Sequence, residues 1–144
     1  MHRHLARRDE GSASIEAAIL FPVLLLFLLI AITAGRIVLA GQAVDAAAED
    51  AARDASLART SNQAAGAAEA AARSTLAQQG LHCTSGGLSV HVRVELGRLG
   101  VGGTVTTTVV CNVALSDLAF PGAPGSHTVT SSFTSTIDRY TEHQ

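Results

Sequence analysis

The sequence predicts an α+β chain: a long N-terminal transmembrane helix continuing into an alanine-rich helix, then a small three-stranded antiparallel sheet. Three observations carry this prediction. An uncharged apolar run extends from Ala17 to Gly35, alanine dominates from Ala43 to Ala77, and after Leu88 apolar residues alternate with polar ones. A helix, a helix and strands follow from those periods in turn. The divisions fall at 1–11 for a basic leader, 12–40 for the transmembrane helix, 41–80 for the alanine-rich helix and 81–144 for the sheet.

Composition narrows the functional classes. The chain has 144 residues, 10 basic and 12 acidic, for a formal net charge of −2. That balance gives no general attraction for nucleic acid, whose binders present a basic face. Aromatic residues make up 3% of the chain and tryptophan is absent. The usual large side chains of a compact enzyme core are therefore missing. No Gly-x-Ser-x-Gly elbow, phosphate-binding loop or His-Glu-x-x-His motif occurs, so neither catalysis nor a small-molecule substrate is expected. His82, His91, His127 and His143 are scattered along strands and loops.

Nineteen residues from Ala17 to Gly35, at about 1.5 Å each, extend roughly 28 Å, close to the hydrocarbon thickness of a bilayer. Glu16 bounds the run on one side and Arg36 on the other. Arg3, Arg7 and Arg8 precede it, whereas Asp45, Glu49, Asp50 and Asp54 follow with only Arg53 among them. This asymmetry predicts an N-terminus held in the cytoplasm and a C-terminal domain outside the cytoplasmic membrane. Pro22 removes one backbone donor inside the run and should loosen or kink the helix there.

Directly before the run stands Glu10-Gly11-Ser12-Ala13-Ser14-Ile15-Glu16. This arrangement resembles a type IV prepilin processing site, in which a membrane peptidase cuts after a glycine that closes a short basic leader. Cutting after Gly11 would make Ser12 the first mature residue and Glu16 the fifth. An ionised carboxylate in the membrane centre costs on the order of 2–3 kcal/mol, and less near the edge. The new α-amino group of a neighbouring subunit could neutralise Glu16 and set the stagger between packed helices. The plainer alternative is that Glu16 is an interfacial acid favoured by the helix dipole.

Residues 11–54 together resemble the TadE-like segment of tight-adherence (Tad, or Flp) pilus systems. The features that carry the resemblance are Gly11 to Glu16, the early Pro22 in a leucine-rich run, the Gly35-Arg36 pair, and the alanine-rich stretch from Ala46 to Arg53. The chain departs from the family pattern in having Ala17 after the glutamate, where tyrosine is frequent, and Ser12 rather than phenylalanine as first mature residue. The resemblance implies a minor pilin-like protein, or pseudopilin. Its implied partners are the membrane, other pilins or pseudopilins, the pilus assembly machinery and a prepilin peptidase, with an extracellular pilus as a further location. Ala31 and Gly35 form a small-xxx-small pair that permits close helix packing, or else they face lipid. Two alternatives keep other N-termini: an uncleaved single-pass anchor, and a secreted binding module cut at Val38-Leu39-Ala40 before Gly41.

Alanine fills sixteen of the thirty-five positions from Ala43 to Ala77, and alanine is the strongest helix former. Low-complexity disorder competes with that reading. Glu49/Arg53 and Glu69/Arg73 are i,i+4 pairs in the favourable order. Thr60-Ser61-Asn62 and Gly66 mark a break or a second helix start, and Gly80 a C-terminal stop.

Beyond Gly80 the period becomes two. The inward positions are Val90, Val92, Val94 and Leu96; then Val105, Thr107, Val109, Cys111 and Val113; then Val129, Ser131, Phe133, Ser135 and Ile137. Turns over 97–103 and 121–126 make these an antiparallel meander. A sheet this small needs cover, and the alanine-rich helix with Leu57 and Leu76 is the nearest candidate. A long helix plus a small sheet is also the general plan of type IV pilin-like proteins. Cys83 and Cys111, the only cysteines, either form a disulfide between the helix end and the second strand or remain free thiols. No ligand stands at zinc-site spacing from Cys83, so no metal site and no cofactor are expected.

Overall fold

The structure, a computed structural model, describes residues 9–95, 102–118 and 122–137, with side chains in the first helix described from Ser14 onward. Most of the expected leader, residues 1–8, lies outside the described residues, as does Leu96. The fold is α+β. Its elements run α1 (Asp9–Ser56), α2 (Ser61–Gln78), β1 (Cys83–Glu95), β2 (Thr104–Ala114), the single turn α3 (Leu115–Leu118) and β3 (Ser126–Thr136). The chain divides into two compact units, Met1–Gly35 and Arg36–Gln144; α1 contributes to both.

In the first unit α1 carries apolar side chains on every side. From Ile15 to Ile32 each large apolar residue is between 44% and 71% exposed. A helix apolar all round and uncovered by protein is suited to hydrocarbon rather than water. Pro22 lies within it. The Thr33 hydroxyl donates to the Leu29 carbonyl at 2.9 Å, satisfying within the helix a polar group that the apolar run would otherwise leave exposed.

In the second unit the remainder of α1 ends at Ser56, and α2 begins at Ser61. The alanine-rich stretch is therefore not one continuous helix. Thr60 is the cap of α2: its backbone is extended and its hydroxyl accepts from the Gln63 amide at 3.3 Å, which satisfies a donor the helix start leaves free. The Thr75 hydroxyl of α2 donates to the Asp50 carboxylate of α1 at 2.7 Å. On one straight helix residues 50 and 75 would stand roughly 37 Å apart; the chain must instead turn back on itself. Leu57 lies in that turn and is 68% exposed, so it does not cover the sheet as expected, whereas Leu76 is buried.

The far end of α2 closes by two bonds, Gly80 N–H to the Ala77 carbonyl at 3.1 Å and Leu81 N–H to the Leu76 carbonyl at 2.9 Å. This is the Schellman pattern, which requires a left-handed residue at its hinge. Gly80 supplies it with φ of 69°.

The strands form one antiparallel sheet in the order β1-β2-β3. β1 starts at Cys83, earlier than the alternation from Val90 indicated, because its register with β2 slips between Cys83 and Leu88. Gly87 makes the slip possible: a Cβ there would come within 2.9 Å of the Thr84 carbonyl oxygen and 3.0 Å of the Asn112 Cβ.

β2 is central and strictly alternates, with Val105, Thr107, Val109, Cys111 and Val113 all buried. Against these inward groups lie Val44, Ala47, Ala48, Ala51 and Ala55 of α1, and Ala64, Ala68, Ala72 and Leu76 of α2. The α2 set recurs every fourth residue, one face of a helix. Each buried valine contributes about 1.5–3 kcal/mol and each alanine methyl roughly 0.8 kcal/mol. On the exposed side the Glu69–Arg73 pair at 2.6 Å and the Glu49–Arg53 pair add only about 0.3–0.5 kcal/mol each.

Candidate functional site

The residues singled out in the sequence fall into two groups, one in each unit. Gly11 and Ser12 belong to the opening turn of α1, and their side-chain surroundings lie outside the description. Glu16 is exposed on α1 with Ile15 beside it and Ile19 and Leu20 on the next turn. It is the last carboxylate before the uncharged run. Ala31 and Gly35 are both exposed on α1, and a Cβ built on Gly35 would meet nothing within 4 Å. The small pair is thus an open surface, ready for a helix or for lipid.

Arg36, the first charge after the run, opens the second unit, and its guanidinium donates to the Asp117 carbonyl of α3 at 3.3 Å. Sequence reasoning did not foresee α3, whose four residues Leu115–Leu118 are too few for any periodic pattern.

Cys83 and Cys111 are joined by a disulfide, with their Cα atoms 5.4 Å apart. Because β1 already begins at Cys83, the bond links two neighbouring strands rather than a helix end and a strand. Cys111 is fully buried while Cys83 is half-buried. A cleft of about 340 Å³ opens beside Cys83, between the end of α2 and the start of β1, lined by Arg73, Leu76, Leu81, His82 and Leu88. A second, of about 300 Å³, lies near the α1–α2 turn against Val94, Val105 and Ile137, with Arg59 as its charged lining residue.

His82 lines the first cleft together with Thr84 and Ser85, but among the described residues it bonds to neither hydroxyl. Among the described residues, no three His, Cys, Asp or Glu side chains gather where a metal ion could be held. Among the described residues the His91 ring bonds only to the Ser89 hydroxyl, at 2.9 Å.

What the architecture defines, among the described residues, is one helix long and apolar enough to cross a membrane, followed by a small disulfide-linked sheet domain. Residues 11–53 match the family model described as TadE-like protein. That segment is less than a third of the chain, and it coincides with α1 from its first turns almost to its end. No curated protein and no solved structure matches the chain.

Proposed function

We propose that this protein is a minor pilin-like, or pseudopilin, structural component of a bacterial tight-adherence pilus assembly or secretion system. The observation that carries the reading is a coincidence. The segment similar to TadE-like proteins is the same helix whose apolar residues are exposed on all sides. Such a helix is stable in a bilayer or packed against other apolar helices, and both environments belong to an assembly that starts from the membrane.

In this reading α1 anchors the chain in the cytoplasmic membrane with its N-terminus in the cytoplasm and the sheet domain outside. The Arg3, Arg7 and Arg8 cluster supports that direction. So does the Cys83–Cys111 disulfide, a bond that persists in oxidising compartments. A prepilin-type peptidase cuts between Gly11 and Ser12. That bond lies in the opening turn of α1, where few intrahelical hydrogen bonds need to break for it to be reached. Glu16 then pairs with the new amino group of Ser12 on a neighbouring subunit, and Ala31 with Gly35 admits a close helix contact. The role is structural and non-catalytic.

The test is the N-terminus and intact mass of protein extracted from native membranes without reductant. A chain beginning at Ser12 supports processing and the pseudopilin role. A chain beginning at Met1 replaces that role with an uncleaved anchor, and one beginning at Gly41 overturns the membrane-helix reading in favour of a secreted module.

A further inference from the structure

Among the described residues the sheet has an open edge. β3 lies at the end of the strand order, and none of its residues is buried. Its hydrogen-bond phase follows from two bonds at its ends. Ile137 N–H donates to the Gly103 carbonyl at 2.8 Å, and Leu115 N–H to the Gly125 carbonyl at 3.0 Å. With Thr104 opposite Thr136 and Ala114 opposite Ser126, these bonds mark the odd-numbered residues of β3 as the ones that exchange hydrogen bonds with β2. The even-numbered ones, Ser126, Thr128, Thr130, Ser132, Thr134 and Thr136, therefore aim their backbone N–H and C=O groups away from the sheet.

Exposed edges are normally blunted by lysine or other charges, by proline or by a bulge. The stretch Ser126–Thr136 has no Lys, Arg, Asp, Glu or Pro, and its register with β2 is unbroken from end to end. The inward face of this edge is also incomplete. Phe133 points to the core side, opposite Thr107, yet is 40% exposed.

We infer that β3 is a self-association edge, and that its occupant is β3 of a second copy of this chain, paired antiparallel about a two-fold axis through Ser131. Four features of the strand fit this partner and this register, the last two of them particular to this sequence. First, pairing about Ser131 matches all eleven residues of β3 with the other copy. Second, it places even-numbered residues opposite even-numbered ones, such as Thr130 with the partner's Ser132, so the outward backbone groups of each copy meet complementary groups. Third, it sets Phe133 opposite the partner's Val129 in a close, non-hydrogen-bonded pair on the core side, an aromatic-on-β-branched contact made twice. Fourth, an uncharged strand meets no like charge when it meets itself. The product is a six-stranded sheet with a continuous core face. A strand from a different protein has no such built-in register, and becomes an outcome of the test.

The experiment uses the full chain in detergent micelles, with Cys83–Cys111 intact. Ser131→Cys puts a thiol on the two-fold axis, where opposed Cα atoms in a non-hydrogen-bonded pair stand about 4.5 Å apart, within disulfide reach. Thr134→Cys puts its thiols roughly 20 Å from one another at about 3.4 Å per residue. The expected result is a dimer on a non-reducing gel for Ser131→Cys and a monomer for Thr134→Cys. Thr130→Pro removes an outward N–H without touching the β2 ladder, so it should halve the protein mass measured by light scattering while the circular dichroism spectrum is kept. The inference is overturned if the two cysteine variants cross-link equally. It is equally overturned by an unchanged mass for Thr130→Pro, which would assign any dimer to α1, and by a monomeric parent chain, which would leave the edge to a strand of another protein.

Discussion

Thr107 and Phe133 face each other across the β2–β3 ladder with their burial reversed. The threonine is fully enclosed and the phenylalanine is 40% exposed. The sheet domain thus puts a hydroxyl in its core and leaves its larger apolar neighbour at the rim. Among the described residues the buried Thr107 hydroxyl has no hydrogen-bond partner, a state that costs about 1–3 kcal/mol.

Thr107→Val keeps the shape and removes the unmatched group. It should raise the stability of the sheet domain by about 1 kcal/mol, seen as a higher urea midpoint with an unchanged slope. A lowered midpoint would mean that the hydroxyl has a partner it does not have here.

The bond from Thr75 to Asp50 ties α2 to α1. Asp50 is exposed and regains water when the bond is lost, so Thr75→Val should cost only about 1 kcal/mol. A double-mutant cycle with Asp50→Ala isolates the term; coupling near zero would make the contact incidental.

The disulfide closes a sequence separation of 28 residues. Removing it by Cys83→Ser with Cys111→Ser should lower stability by about 2–4 kcal/mol. Thermal unfolding of the parent chain with and without reductant checks the same quantity. Equal melting temperatures would assign no stabilising role to the bond.

The two acts assigned to the N-terminal region separate by mutation. Gly11→Leu should leave the chain uncut in membranes. Glu16→Val should leave cutting unchanged, yet reduce the protein recovered in a sheared surface-filament fraction to background. Normal recovery of the Glu16 variant would make that residue an interfacial acid alone.

The broad plan was legible because each part has its own period. The run from Ala17 to Gly35 excludes charge altogether, and the inward set of β2 alternates without exception. The turn at Leu57–Thr60 was less legible, since alanine on both sides of it favours helix equally and only Thr60 offers a cap. Leu57 was assigned to the core by its side chain alone, but the turn decided its exposure. The early start of β1 was hidden by Ser85-Gly86-Gly87, which breaks the alternation; a glycine pair inside a strand is a signal of irregular pairing that marks the slip in hindsight. The Asp50–Thr75 bond and α3 depend on how distant segments meet, and no local pattern encodes either. At the N-terminal region the pattern from Gly11 to Glu16 was readable in full, whereas the use proposed for it rests on a peptidase and neighbouring subunits outside this chain.

The alanine lining of the second unit has one further consequence. Methyl groups have no rotatable torsions to freeze, so Ala47, Ala51, Ala64, Ala68 and Ala72 give up no side-chain conformational entropy when they are enclosed. For the same reason they have no alternative rotamers with which to absorb a change nearby. An added methylene at Ala68 has nowhere to go, and its strain passes directly into the spacing of the backbones, at about 1–3 kcal/mol. This domain is inexpensive to order and brittle to alter: its sequence can drift along the hydroxyl-rich outer face of β2, but scarcely at all where only methyls separate the helices from the sheet.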